Sequence, residues 1–275
     1  MRSAYRFRKL FSYVRHFGLL YGIRNFLNAS RKDGVVRLTP GVGSPPLLAR
    51  AGTSDIDVFD EVFVRRAYLT ERLSTARVAT VVDAGANIGV TSVFLARCFP
   101  DARVIAIEPE QQNYDLLVRN ITPYPQITAL RAAVWDRDGM VHVEDPGRGA
   151  WSFTVTSKTD ATGQQVPAVT MNTVCNRFGL SRIDLVKMDI EGAEQRVFSG
   201  DLEWLKSTTR VVIELHDRFV DGCSQAFYSA IAPFAFRQDI RDKNVFVELA
   251  ERGRAHRRET ENGSREAARE HAAAI

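Results

Sequence analysis

The 275-residue chain reads as a doubly wound α/β domain with a mostly parallel sheet and one antiparallel strand near its C-terminus. Three observations predict this. Short apolar runs alternate with helical patterns across residues 78–249, the signature of a parallel sheet covered by helices on both faces. The first run, residues 78–82, ends in Asp83 and passes through a glycine turn, Gly85 to Gly89, into a helical stretch at 90–98. The last two runs, 236–240 and 245–249, are separated by the charged turn Arg241-Asp242-Lys243-Asn244, which reads as a hairpin.

Taken in order, residues 1–32 carry Phe7, Leu10, Phe11, Val14, Phe17 and Tyr21 at helical spacing with arginines between them, a basic amphipathic arm. Two readings stay open: a helix lying on anionic lipid, or an arm packed on the rest of the chain. Residues 34–46 hold Pro40, Gly41, Gly43, Pro45 and Pro46 and read as a linker or loop. Thr53, Ser54 and Asp55 can cap a helix whose apolar face uses Val58, Phe59, Val62, Phe63 and Ala67. A second strand at 104–107 precedes a helix at 111–120, and a third strand spans 127–134, ending near Trp135-Asp136. Residues 140–169 alternate around Gly147, Gly149 and Gly163, as short antiparallel strands or a long loop, with Trp151 and Ser152 placed for substrate contact. A short helix follows at 170–178. The fourth strand, 183–190, runs straight into DIEGAE, with a helix expected at 193–204. The fifth strand, 210–215, ends in His216-Asp217, and a helix at 224–231 stops before Pro233. Residues 1–50 therefore form an arm and linker, 51–250 the main domain, and 251–275 a charged tail expected to be disordered.

The net charge of +4 is unevenly spread: eight basic residues and no acid precede Asp33, leaving the remainder at −4. A local basic excess argues against nucleic acid as a partner. Cys98, Cys175 and Cys223 are odd in number and far apart, so neither a disulfide framework nor a zinc site is expected. No apolar run approaches the ~18 residues of a membrane span. These features predict a cytoplasmic protein, with peripheral contact at the inner membrane face if the basic arm touches lipid.

The turn narrows the ligand. A strand, tight turn and helix in this order place a nucleotide-like molecule against helix N-terminal N–H groups. Asn87 stands where a dinucleotide fold would have its second glycine, and Asp83 suits a ligand carrying positive charge. Glu108, 23 positions after Gly85 (108 − 85), ends the second strand where an acid grips ribose hydroxyls. A cationic sulfonium with a ribose and no phosphate, S-adenosylmethionine, satisfies all three.

The segments VVDAGANIGVTSVFLA, VIAIEPEQQNYDLLVRN, RAAVWDRDG, DLVKMDIEGAEQRVFSG and VVIELH resemble, in that order, the FkbM-type methyltransferases. The resemblance spans residues 53–249. It implies a seven-stranded Rossmann-like methyltransferase sheet and O-methylation of hydroxyls on sugars or other natural products. By it, Asp83 would face the cationic end of the cofactor, Gly85, Ala86, Asn87 and Gly89 would receive its methionine part, and Glu108 would accept from the ribose; Asp136 would lie near the adenine.

A hydroxyl acceptor calls for a base as the new bond forms. His216 is the first choice, because an unperturbed imidazole titrates near about 6.5, and Asp189 is the alternative base or orienting group. Lys187, on a buried strand, needs a carboxylate partner. The acids Asp189, Glu191, Glu194 and Asp217 suit magnesium, but such clusters are too common to predict a metal. Two other functions remain to be weighed: an NAD(P)-dependent oxidoreductase, which leaves Asp83 unexplained, and a non-catalytic binding protein on the same fold.

Overall fold

A computed structural model describes residues 2–144, 154–156 and 163–250. Trp151, Ser152 and the tail from residue 251 lie outside the described residues. Seven strands form the central sheet: β1 (Thr80–Ala84), β2 (Arg103–Ile107), β3 (Ile127–Leu130), β4 (Leu185–Met188), β5 (Arg210–Glu214), β6 (Ala235–Arg241) and β7 (Asn244–Ala250). Their order is β6-β7-β5-β4-β1-β2-β3. The strands β1 to β5 pair in parallel, and β7 runs antiparallel to both neighbours. The central strands are buried on both faces, which explains why Val81, Val82, Ile105, Ile107, Val186 and Met188 read as continuous apolar runs. Connections step outward from β1 to β3 and then return to β4 beside β1. The crevice at a reversal of this kind opens outside the carboxyl ends of those strands.

Several boundaries differ from the sequence expectation, each for a visible reason. The third strand stops at Leu130. Ala133–Val134 leaves the main sheet to pair with Gln164–Val169, in a four-stranded sheet that also holds Gly139–Glu144 and Thr154–Thr156. That sheet closes its own small core around Trp135, Val143 and Val166. The single helix expected at 193–204 is two, Glu194–Ser199 and Glu203–Lys206, broken at Gly200. A Cβ at Gly200 would lie 3.0 Å from the Asp136 carbonyl oxygen, so the chain uses glycine for a close approach there.

The N-terminal region is also different. Residues 34–46 are not a linker: Val35–Leu38 pairs with Leu47–Arg50 in a hairpin whose Val36, Leu38, Leu47 and Ala49 enter the main core. The arm, Arg2–Ala29, is not one continuous helix. Gly18 adopts φ 76°, ψ 169° and the chain turns back on itself, so that a Cβ on Gly22 would fall 2.5 Å from Val14 Cα. Tyr13, Phe17 and Phe26 are buried, with Phe17 against Phe59 at 5.7 Å between ring centroids. The helix Asp55–Phe59 continues through a widened π-helical turn, Asp60–Val64, and carries that aromatic contact on through Phe63 to Phe94.

One buried ion pair ties the sheet to the glycine turn. Lys187 Nζ on β4 lies 3.1 Å from Asp83 Oδ1 on β1 and donates to the Gly85 carbonyl oxygen at 2.7 Å. Asp83 Oδ2 accepts from Ser92 Oγ at 2.6 Å. Burial opposes the lysine charge, but Asp83 and then Asp189 hold its pKa above the ordinary value. Lys187→Met leaves Asp83 buried and unpaired, which should cost about 3–5 kcal/mol in urea unfolding; Lys187→Met with Asp83→Asn should recover part of that loss. A single variant within about 1 kcal/mol of wild type would show that the pair does not brace the fold.

Candidate active site

A cavity of about 320 Å³ lies at the carboxyl ends of β1, β2 and β4. Its two ends differ in chemistry. One is formed by the turn residues Gly85, Ala86 and Asn87 together with Ile107, Glu108, Pro109 and the Ala132–Val134 backbone run. The other gathers Tyr68, Lys187, Asp189, Glu191, Arg218 and Lys243.

The turn is closed by its own hydrogen bonds. The N–H groups of Gly85 and Ala86 both reach the Ile107 carbonyl oxygen, at 3.0 and 2.9 Å. Asn87 N–H donates to Glu108 Oε2 at 2.8 Å, Ile88 N–H to Asn87 Oδ1 at 2.7 Å and Gly89 N–H to the Ala86 carbonyl oxygen at 2.8 Å. The expected set of N–H groups directed at a ligand is therefore spent within the turn, which leaves no cradle here for a pyrophosphate. Gly85, at φ 78°, lies so close to β4 that a Cβ would fall 1.8 Å from the Asp189 carbonyl oxygen. Asn87 takes φ 51°, a left-handed position that asparagine tolerates better than most residues.

Glu108 is buried and its oxygens are fixed by Asn87 N–H, by Glu110 N–H at 2.9 Å and by Asn113 Nδ2 at 3.4 Å. Burial raises its pKa to about 7, against the lowering effect of the Glu110 and Asn87 N–H groups. A pre-set carboxylate of this kind retains lone pairs for a vicinal diol. The flanking apolar surface of Ile107, Pro109 and Ala132 to Val134 suits a flat purine. These residues therefore fit S-adenosylmethionine, with Glu108 for its ribose.

The other expected residues fall in different places. Gly85, Ala86, Asn87, Glu108 and Asp189 share the cavity wall; Asp83, Gly89, Asp136 and His216 do not. Asp83 is wholly buried behind the turn on Lys187 and Ser92, so it acts on the cavity only through Lys187. Gly89 packs on the Gln111–Ile121 helix, where a Cβ would meet Leu117 at 2.7 Å. Asp136 lies 3.6 Å from the Arg196 guanidinium. His216 is wholly buried behind the carboxylates, with Nδ1 2.9 Å from Glu194 Oε1. Burial works against its charge, but Glu194 and then Asp189 push its pKa up to about 9, unsuited to a base at neutral pH. Asp189 Oδ2 accepts from Tyr68 Oη at 3.2 Å. Burial raises the Asp189 pKa, but Lys187, His216 and Lys243 outweigh it and leave the net value lowered.

The sequence marked Glu191 only as one of the acids that suit magnesium and not as a base. Glu191 stands on the cavity wall with φ 54°, and its Oε2 atom is buried without a hydrogen bond among the described residues. Burial and the nearby Asp189 charge raise its pKa to about 7. Its left-handed, non-glycine backbone stores strain of the kind that clusters at functional sites, and neither its acid character nor its place in DIEGAE signals that strain in the sequence.

Known proteins are similar to this chain over the sheet that carries the cavity. The Methyltransferase FkbM domain profile matches residues 83–241, from the end of β1 to the end of β6. The chain is 26% identical over 191 residues to Methyltransferase sdnD of Sordaria araneosa, covering 57% of this chain and 73% of that protein. It is 27% identical over 198 residues to 31-O-demethyl-FK506 methyltransferase FkbM of Streptomyces tacrolimicus, covering 60% and 75% respectively. It is 27% identical over 135 residues to Hexuronic acid methyltransferase AglP of Haloferax volcanii, covering 49% and 54%.

The ribose assignment has a pH signature. Hydroxyls donate to the ionised form of Glu108, so affinity should be full above about pH 7 and fall below it. Calorimetry with S-adenosylhomocysteine should give binding about tenfold weaker one pH unit below that value than above it, and Glu108→Gln should bind weakly with no such dependence. Equal pH profiles in the two proteins would remove Glu108 from the ribose.

Proposed function

The chain belongs to the FkbM methyltransferase family, and from that premise we propose that this S-adenosylmethionine-dependent enzyme methylates a hydroxyl of a saccharide, glycolipid or other small natural product. The observation that carries the reading is the acidic end of the cavity, where Asp189 and Glu191 share one wall with the cofactor residues. Two relatives support it: one acts on 31-O-demethyl-FK506 and another is a hexuronic acid methyltransferase.

Bound beside Glu108, the cofactor supplies a methyl group on a sulfonium whose sulfur leaves as a neutral thioether. The chain must hold an acceptor oxygen in line with that methyl carbon and take its proton as the O–C bond forms. Glu191 takes the proton: its side chain borders the cavity, and burial with the Asp189 charge raises its pKa to about 7, which suits a carboxylate that exchanges a proton. Asp189, fixed by Tyr68, orients the hydroxyl. Lys243 and Arg218, also on the wall, can hold further oxygens of a polar acceptor. His216 supports this group from behind through Glu194 and the three nearby carboxylates.

A screen of sugars and glycolipids with methyl-labelled cofactor should identify an acceptor that gains label on oxygen. With it, Glu191→Gln should lower turnover by about 10²–10⁴-fold and leave S-adenosylhomocysteine affinity within about threefold. Turnover near wild type would exclude Glu191 as the proton acceptor, and label on nitrogen or carbon would exclude the hydroxyl reading.

We also propose that the N-terminal helices rest on anionic lipid. Phe7, Phe11, Leu19, Leu20 and Leu27 are exposed while the opposite side packs on the core, and Arg6, Arg8, Arg15 and Arg24 are exposed among them. No helix of the described residues is long and apolar enough to cross a membrane. Binding to liposomes should rise with anionic lipid, fall with salt and be lost in Phe7→Ser/Phe11→Ser/Leu20→Ser; equal partitioning to neutral liposomes would contradict it.

A further inference from the structure

Three carboxylates converge on one imidazole nitrogen at the back of the cavity. His216 follows β5 by two residues and is wholly buried. Its Nδ1 faces Glu194 Oε1, while Glu194 also accepts the N–H groups of Ile190 and Gly192. An acceptor so used directs the Nδ1 hydrogen toward itself and leaves Nε2 aimed the other way. Among the described residues Nε2 has no hydrogen-bond partner; it lies 3.6 Å from Asp189 Oδ1, 3.6 Å from Glu191 Oε2 and 3.5 Å from Glu214 Oε1.

These separations are long for hydrogen bonds and suit ligands around a shared ion. Atoms each about 2.1 Å from a metal lie about 3.0 Å apart when adjacent and about 4.2 Å when opposite. The ligand atoms of Asp189, Glu214 and His216 all lie within 4.8 Å of one another. We propose that His216, Asp189 and Glu214 bind a divalent cation, with Glu191 at its edge.

Charge and supporting contacts agree. Asp189, Glu191, Glu194 and Glu214 bring four carboxylates together. Lys187 is matched by Asp83, whereas Lys243 and Arg218 both pair with Glu214, at 2.7 Å to Oε2 and 3.2 Å to Oε1. With His216 neutral, as a metal ligand is, these four acids face only those two cations, and a divalent ion fills the deficit in place of the imidazole proton. Arg218 uses one lone pair of Oε1 and leaves another for the metal. An imidazole whose second nitrogen is tied to a carboxylate is the usual support for a metal-bound histidine. One nitrogen with carboxylates favours Mn²⁺ or Mg²⁺ over an all-oxygen calcium site. His216 and Glu214 close the back, so the remaining positions face the cavity through Asp189 and Glu191. There the ion would hold two neighbouring hydroxyls of the acceptor and ease loss of a proton from one. That task rests on the hydroxyl-acceptor reading; binding of the ion does not.

The test is Mn²⁺ titration of the chelator-treated full-length chain, followed by the electron paramagnetic resonance signal of free Mn²⁺, with S-adenosylhomocysteine calorimetry on the same samples. About one bound ion per chain is expected, weakened at least about tenfold in His216→Gln and in Glu214→Gln. Retained S-adenosylhomocysteine binding in either variant shows that it is folded. No Mn²⁺ uptake by wild type, or unchanged uptake in a folded Glu214→Gln, overturns the proposal. Mn²⁺ uptake by wild type without S-adenosylhomocysteine binding would support the ion and defeat the cofactor assignment, so the two can fail separately.

Discussion

The contact between Lys187 and Asp83 holds the site together. It crosses from β4 to β1 at the point where the sheet reverses direction, and the same ammonium group anchors the Gly85 carbonyl oxygen. The turn is thereby pressed on β4 so closely that only glycine fits at position 85. An ion pair this deeply buried gains little net stability over a well-packed apolar pair, because both charges lose their water. Its value is geometric: it sets the distance between the glycine turn, proposed to receive the cofactor, and the DIEGAE segment that carries Asp189 and Glu191.

From that brace the cavity runs between the residues proposed for the cofactor and those proposed for the acceptor. Glu108 is held in place before any ligand arrives, since backbone N–H groups of Asn87 and Glu110 fix its two oxygens. The acceptor end is organised by electrostatics. Lys187, Lys243 and His216 keep Asp189 ionised despite its burial, while Glu191, next to the Asp189 charge, holds its proton more readily. Two carboxylates two residues apart thus differ in character, one suited to orienting a hydroxyl and the other to exchanging a proton.

Much of the fold was legible because the sheet is parallel and its strands are buried on both faces. The runs ending in Asp83, Glu108 and His216 could be counted directly, and the charged turn at 241–244 marked the hairpin. Glycines and prolines misled at both extremes: residues 34–46 carry turn chemistry yet enclose a hairpin, and Gly18 folds back an arm that looked continuous. Side-chain direction was the main loss in the site. Strand position placed Asp83 and His216 at the correct ends, but their burial depends on Lys187, Ser92 and Glu194, which lie up to 104 residues (187 − 83) away in sequence. Glu191 stood out no more than the acids around it for another reason, since its left-handed backbone conformation is a property of the folded turn and not of a glutamate.

The most direct measurement is parallel calorimetric titration of the purified chain with S-adenosylhomocysteine and with NAD. The N–H groups of residues 85–89 are all engaged and Glu108, proposed for the ribose, is pre-set, so saturable binding of the sulfur compound and no heat from NAD is the predicted result. Binding of NAD, or of neither molecule, would contradict the assignment of this cavity to S-adenosylmethionine.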